Sequence, residues 1–322
     1  MTQKLLIDAD PGIGDALAIL VALADPALDV LALTACGGTV TGQQATRNLH
    51  YLTDLMDPLR HPRIGQAPHS EKYSVDLPAG LPPLSALHGR CGLGEVEPLV
   101  PDLHNRRESA RLIVDVVREH PGEVRILTCG PLTNVAMAFE MDPELPVLLN
   151  GLICLGGSLH GIGDVTAMAE FNFWSDPQAA GTVMRSPVGK LVVPLEVGHS
   201  VGLTFADIER LSGLIPSTPV GELATGLLQY SARACRQLLP FEEVTLPAAA
   251  VLAIAAREAR FDTAQVVADV ETTGELTRGT LVLDRRRFQH RQPNVEIVAT
   301  VERDAAVDYF CRGLRRAATR RG

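Results

Sequence analysis

Short apolar runs alternate with stretches of helical periodicity from one end of the chain to the other, and no other feature restricts the fold as much. "KLLIDAD" (residues 4–10) places Leu5, Leu6 and Ile7 in one unbroken run, and "GDALAILVALAD" follows with apolar residues at helical spacing. The alternation continues through "LDVLALTACGG" and "GQQATRNLHYLTDLM", then "RESARLIVDVVREHP" and "VRILTCGP", "LTNVAMAFEM" and "GLICLGG", "DPQAAGTVMRS" and "KLVVPLEV". Strands without polar interruption are buried on both faces. The pattern therefore predicts an α/β fold with an open, doubly wound, mostly parallel sheet covered by helices. The later stretch "VADVETTGELTRGTLVLDRRRFQHRQPNVEIVATV" is strand-rich and predicts a small antiparallel C-terminal extension. No repeat, low-complexity linker or charge block marks a boundary, so residues 1–322 read as a single domain. The Pro-rich segment "DLPAGLPPLSALHGRCGLGEVEPLVP" reads as a long functional loop, since ordered elements resume on both sides.

Bulk properties narrow the function. A net charge of −9, from 29 Lys+Arg against 38 Asp+Glu, gives no reason to expect a nucleic-acid partner. The basic tail with Arg312, Arg315, Arg316, Arg320 and Arg321 reads as a solvated helix end, where cations complement the dipole. No apolar stretch reaches membrane-spanning length, and no cleavable leader pattern opens the chain. The six cysteines are scattered without a CxxC pair, which predicts reduced thiols and a cytoplasmic location.

In open parallel sheets, ligands bind beyond the carboxyl ends of the strands. There the chain carries Asp8-Ala9-Asp10-Pro11-Gly12, Cys36-Gly37-Gly38-Thr39, Cys129-Gly130-Pro131 and the segment "GDVTAMAEFNFWSDP". Converging carboxylates do not all stay ionised unless a cation neutralises them. A hard cation such as calcium, which takes six to eight oxygens, suits this all-oxygen inventory. The plainer alternative makes Asp10 a turn residue and Asp15 a first-turn acid favoured by the helix dipole.

"DADPGIGDALAIL" resembles the N-terminal signature of the inosine–uridine nucleoside hydrolases, which usually reads DxDPGxDDAxAI. "ATRNLHYL", "HGRCGLG", "CGPLTNVAMA", "LGGSLHGIGDVTAMAEFNFWSDPQAA", "VVPLEVGHSVGLT" and "DVETTGELTRGTLVLDRR" resemble further family blocks in the family's order. The resemblance implies a ribose pocket with one calcium ion at its floor and hydrolysis of the N-glycosidic bond of a nucleoside or riboside. It also implies a dimer or tetramer. Carried over position by position, it makes Asp10 the proton acceptor and a metal ligand, Asp15 a second ligand, and the Cys129 backbone carbonyl a third. Glu170 and Asn172 match residues on the ribose 5′ side, and His88 a pocket histidine. Thr39 and Asp164 each stand where the family has a pocket asparagine. Three further departures accompany these matches. Gly14 replaces the first Asp of "DD", and Thr245 and Leu246 replace the His and Asp of a family HDP that precedes an apolar helix. Asp164, Glu242 and Glu243 are candidate compensating carboxylates. Two readings stay open: an N-ribohydrolase with altered substrate or metal dependence, and an inactive homologue that binds nucleosides or regulates.

Overall fold

The structure, a computed structural model, describes residues 2–68, 77–100, 107–286 and 291–319. Arg320 and Arg321 of the basic tail, the ends of the Pro-rich loop at Asp76 and Pro101, and residues 287–290 of the strand-rich segment lie outside the described residues.

Eleven strands are described: β1 (Gln3–Ala9), β2 (Leu28–Ala35), β3 (Arg63–Gly65), β4 (Arg125–Thr128), β5 (Gly151–Leu155), β6 (Lys190–Val193), β7 (Gly202–Thr204), β8 (Glu243–Thr245), β9 (Phe261–Val270), β10 (Leu281–Asp284) and β11 (Val295–Val301). Nine form one sheet in the order β10-β9-β11-β6-β5-β4-β1-β2-β3, and β7 pairs with β8 apart from it. From β3 through β6 every neighbouring pair is parallel. The chain starts in the middle at β1, winds out to β3, then crosses back to β4 and winds the other way. The strand order thus reverses between β1 and β4, the place where open α/β sheets bind ligands.

The strand-rich segment forms the expected antiparallel extension, and it continues the main sheet. β11 joins β6 in parallel, while β9 pairs antiparallel with β11 and β10 antiparallel with β9.

Alternation along the strands divides the core in two. Leu5, Ile7, Ala9, Leu127 and Ile153 face one apolar cluster, and Leu6, Ile126 and Leu152 face the other. The first layer is closed by the helices Ile13–Ala24, Pro247–Ala255 and Arg303–Thr319, which pack on one another. The second contains the helices Ser109–Glu119, Thr133–Met141 and Pro177–Arg185. Helix Ile13–Ala24 is buried almost along its length and ends at Asp25, whose extended backbone (φ −80°, ψ 116°) suits the residue before Pro26.

One strand is shorter than its sequence predicts. "KLVVPLEV" leaves β6 at Val193, and Pro194 opens a helix, Leu195–Ser200. Proline has no N–H for the ladder but is tolerated where a helix begins. Among the described residues no helix is long and apolar enough to cross a membrane, and all six cysteines are free thiols.

Candidate active site

Asp10 lies one residue past β1, at the reversal point, and is 2% exposed. Its Oδ2 accepts the backbone N–H of Thr39, and the Thr39 hydroxyl also bonds to the carboxylate. Glycines beyond β2 and β4 make room for it. A Cβ on Gly130 would stand 2.5 Å from Asp10 Oδ1 and 2.7 Å from Cys36 Sγ, and one on Gly38 would overlap Asp10 Oδ2. Asp15 sits in the first turn of helix Ile13–Ala24, where the dipole favours a carboxylate, and it bonds to Asp10. Burial pushes Asp10 up to about 6. Burial and the Asp10 charge push Asp15 well above the usual carboxylate range.

Asp8 belongs to a different environment. It lies level with Thr34 on β2 and Thr128 on β4. Its Oδ1 accepts from Thr34 Oγ1 at 2.5 Å and Asn134 Nδ2 at 2.8 Å. Burial, opposed by these bonds, raises it to about 7. It does not line the cavity.

That cavity has a volume of about 670 Å³ and brings together every site residue expected from the sequence: Asp10, Asp15, Thr39, His88, Cys129, Asp164, Glu170 and Asn172, along with Gly14, Thr245 and Leu246. Gly12 holds two of these walls close, since a Cβ there would lie 2.6 Å from Thr39 Cγ2 and 2.8 Å from His88 Nδ1. His88 Nδ1 accepts the Ile13 N–H at 3.3 Å, and burial lowers the ring to about 4, so it is neutral. Glu170 caps the short helix Phe171–Ser175. Its carboxylate accepts the N–H groups of Gly157 (2.9 Å), Asn172 (3.0 Å) and Phe173 (3.2 Å). Burial and then the nearby Asp164 push Glu170 up to about 8, against the pull of those donors. Asp164 opens to solvent within the concave wall, and desolvation there raises it to about 6. Asn172 Nδ2 donates to the carbonyls of Cys129 (2.8 Å) and Leu155 (3.0 Å), tying together the ends of β4 and β5.

The cavity lining presents oxygen donors of the kind a divalent cation takes. Two adjoining carboxylates, Asp10 and Asp15, lack a neutralising charge, and a doubly charged hard ion supplies it. The Cys129 carbonyl has a second lone pair besides the one facing Asn172. Leu246, 3% exposed at the start of helix Pro247–Ala255, contributes no oxygen. Among the described residues no group of three His, Cys, Asp or Glu side chains is gathered to hold a metal. Asp10 and Asp15 match a hard cation in charge and in oxygen chemistry.

The suggested compensating glutamates do not fill the gap. Glu243 lines the cavity, but its Oε2 is held by Arg303 Nη2 at 3.0 Å. Glu242 is exposed and outside the cavity lining. The Asp164 charge acts on Glu170. Gly14 has empty space where a side chain would project, with nothing within 4 Å of a Cβ.

Sequence reasoning missed His199, Ser231, Leu239 and Phe241, which also line the cavity. Reading Leu195–Val197 as strand hid His199. Pro194 was the signal that the strand ends and that the following residues face the mouth.

A sequence profile described as inosine-uridine preferring nucleoside hydrolase matches residues 5–308. The chain belongs to this family. A pyrimidine-specific ribonucleoside hydrolase, RihA, of Salmonella arizonae is 31% identical over 98% of this chain and 99% of its own length. Uridine nucleosidase 1 of Arabidopsis thaliana is 36% identical over 65% of this chain and 61% of its own. Among solved structures, a plant nucleoside hydrolase has a TM-score of 0.86 at 27% identity, covering 98% of this chain and 99% of that one. A purine-preferring ribonucleoside hydrolase from Gardnerella vaginalis has a TM-score of 0.85 at 25% identity, with the same coverage. As a member of this nucleoside hydrolase family, the chain carries the doubly wound α/β fold of its structural neighbours.

Proposed function

We propose that the chain hydrolyses the N-glycosidic bond of ribonucleosides or closely related ribosides, releasing the base and ribose for salvage. The observation that carries this reading is Asp10: a buried carboxylate at the sheet's reversal point, gripped by Thr39, adjoining Asp15 and open to a nucleoside-sized cavity. The family membership and the names of the relatives support the same reaction class.

Asp10, its carboxylate open to the cavity, takes the proton of an attacking water. Thr39 fixes the carboxylate's orientation. The carboxylates lining the cavity favour positive charge developing on the sugar. Asn172 and Glu170 form the rigid floor against which the 5′ side of the ribose rests, and Asp164 faces the same end. His88, as a neutral imidazole held by Ile13, completes the sugar wall. Asp10, Asp15 and the Cys129 carbonyl would hold calcium, which supplies a lowered water pKa and a grip on the ribose diol. Gly14 offers no carboxylate to the sugar hydroxyls, and such charge-assisted hydrogen bonds are worth about 1.5–3 kcal/mol each. Binding of ribose is correspondingly weaker than a fully acidic site would give. A homo-oligomer is supported by the family resemblance alone. The free thiols suit a cytoplasmic setting.

The test is chromatography of base release from a panel of purine and pyrimidine ribonucleosides, with calcium present. Wild-type protein is expected to release base and ribose in equal amounts. Asp10→Asn is expected to lower turnover by about 10²–10⁴-fold with the melting temperature nearly unchanged. Retained turnover in the variant would remove Asp10 from the mechanism. No release from any nucleoside by wild type would favour the inactive binding homologue.

A further inference from the structure

We propose, building on the hydrolase reading, that His199 donates a hydrogen bond to the aglycone as it departs, and so sets which aglycones this site releases. Helix Leu195–Ser200 follows β6 and opens on the same mouth as the ends of β1 and β4. It is fastened to the segment after β8. The Leu246 N–H donates to the Val201 carbonyl at 2.8 Å, Gly202 pairs with Thr245, and a Cβ on Gly198 would meet Pro247 Cβ at 3.0 Å. Thr245 and Leu246 bring no titratable group to this wall, while His199 does.

Of the carboxylates and imidazoles that line the cavity, His199 is the one without a hydrogen bond among the described residues. His88 is taken by Ile13, Glu243 by Arg303, and Glu170 by three backbone donors. Glu196, one turn before His199, is filled by Ser158 Oγ (2.7 Å) and the N–H groups of Leu159 and His160 (both 2.9 Å). The half-buried ring therefore lines the cavity with its polar edge uncommitted. Leu239, Phe241, Leu246 and Ala248 line the same cavity, and apolar walls of this kind favour a flat aglycone and strengthen any hydrogen bond made beside them. Burial also lowers the proton affinity of His199, keeping the ring neutral with one N–H to give.

In the reaction the C1′–N bond breaks and its electron pair leaves on the aglycone nitrogen. A water oxygen bonds to C1′, and that water's proton passes to Asp10 and on to solvent. The His199 N–H stabilises the charge building on the aglycone, which takes its own proton from solvent on release. The ligand class this implies is a heteroaromatic riboside whose ring carries a hydrogen-bond acceptor.

The experiment compares uridine and inosine with 4-nitrophenyl β-D-ribofuranoside, whose leaving group departs without help, on wild type, His199→Ala and His199→Gln. In His199→Ala the ratio of kcat/KM for nucleoside to that for the nitrophenyl riboside is expected to fall by about 10²-fold, the scale for removing one hydrogen-bond donor from developing charge. His199→Gln, which keeps an N–H, is expected to recover part of the ratio. An unchanged ratio, with both substrates slowed equally, would overturn the role of His199 while leaving the hydrolase reading intact. Wild type inert toward all three substrates would overturn the hydrolase reading, and this role with it. Melting curves of both variants report whether a loss reflects unfolding.

Discussion

Carboxylates two positions apart near the end of β1 meet unlike surroundings. Asp8 is still within the ladder, on the face opposite Ile7, beneath Thr34 and Asn134, whereas Asp10 has left the strand and meets the cavity. Glu170 gives a test of how such burial is coupled to folding. Its folded proton affinity is raised from an ordinary 4.5 to about 8. The folded state thus binds a proton that the unfolded state releases. The resulting stability is fully present below about 4.5 and is lost as pH rises through about 8. Denaturant melts at pH 5.5 and 8.5 are expected to show wild type losing more stability across that interval than Glu170→Gln, which cannot ionise. An equal or smaller loss in wild type would contradict it. These contrasts were only partly legible from residue types. The acids at the strand ends could be named, but the partners that set each environment could not, since Asn134 reaches Asp8 from 126 residues away and Thr39 reaches Asp10 from beyond the end of another strand.

Two element ends carry the departures from the family pattern. Gly14 lies in the first turn of helix Ile13–Ala24 with open space around it, so a methyl group there meets nothing. Gly14→Ala is expected to raise unfolding free energy by about 0.5–1 kcal/mol through the unfolded chain's lost freedom, measured as a higher denaturant midpoint at constant slope. A fall would mean that the turn needs glycine. Leu246 occupies the N-cap of helix Pro247–Ala255 without a side-chain hydrogen bond. An aspartate there can cap the helix and adds a carboxylate to the cavity. Leu246→Asp is therefore expected to tighten calcium binding by about tenfold or more, since affinity follows ligand charge and number. No gain would contradict placing position 246 on the metal's side of the pocket. Sequence spacing was a good guide to both helices, because apolar runs of this length have one buried solution. It failed at β6, where Pro194 converts an apparently continuous strand into a strand and a helix, and so hid His199.

At the scale of the molecule, parallel pairing between strands distant in sequence converts scattered motifs into one site. The alternation of strands and helices made the doubly wound sheet legible. The reversal between β1 and β4 was not, because strand order depends on which crossovers pack, and local periodicity is silent on that. We propose that residues 1–322 act as one domain, tied end to end. Tyr309 Oη donates to Asp25 Oδ2 at 2.6 Å, linking the last helix to the end of helix Ile13–Ala24. Tyr309→Phe is expected to lower unfolding free energy by about 1.5–3 kcal/mol, the range for a hydrogen bond to a charged group, and to leave a single transition. A second transition would contradict the one-domain reading. We propose that Asp10 and Asp15 adjoin to share a cation that also meets the sugar. Calorimetric titration of calcium into chelator-stripped protein, with and without free ribose, tests it most directly. One-site binding is expected at about 10⁻⁴–10⁻³ M, the weak end for few charged ligands, tightened by ribose and abolished by Asp15→Asn. No binding in either condition, or binding unchanged in Asp15→Asn, would contradict it.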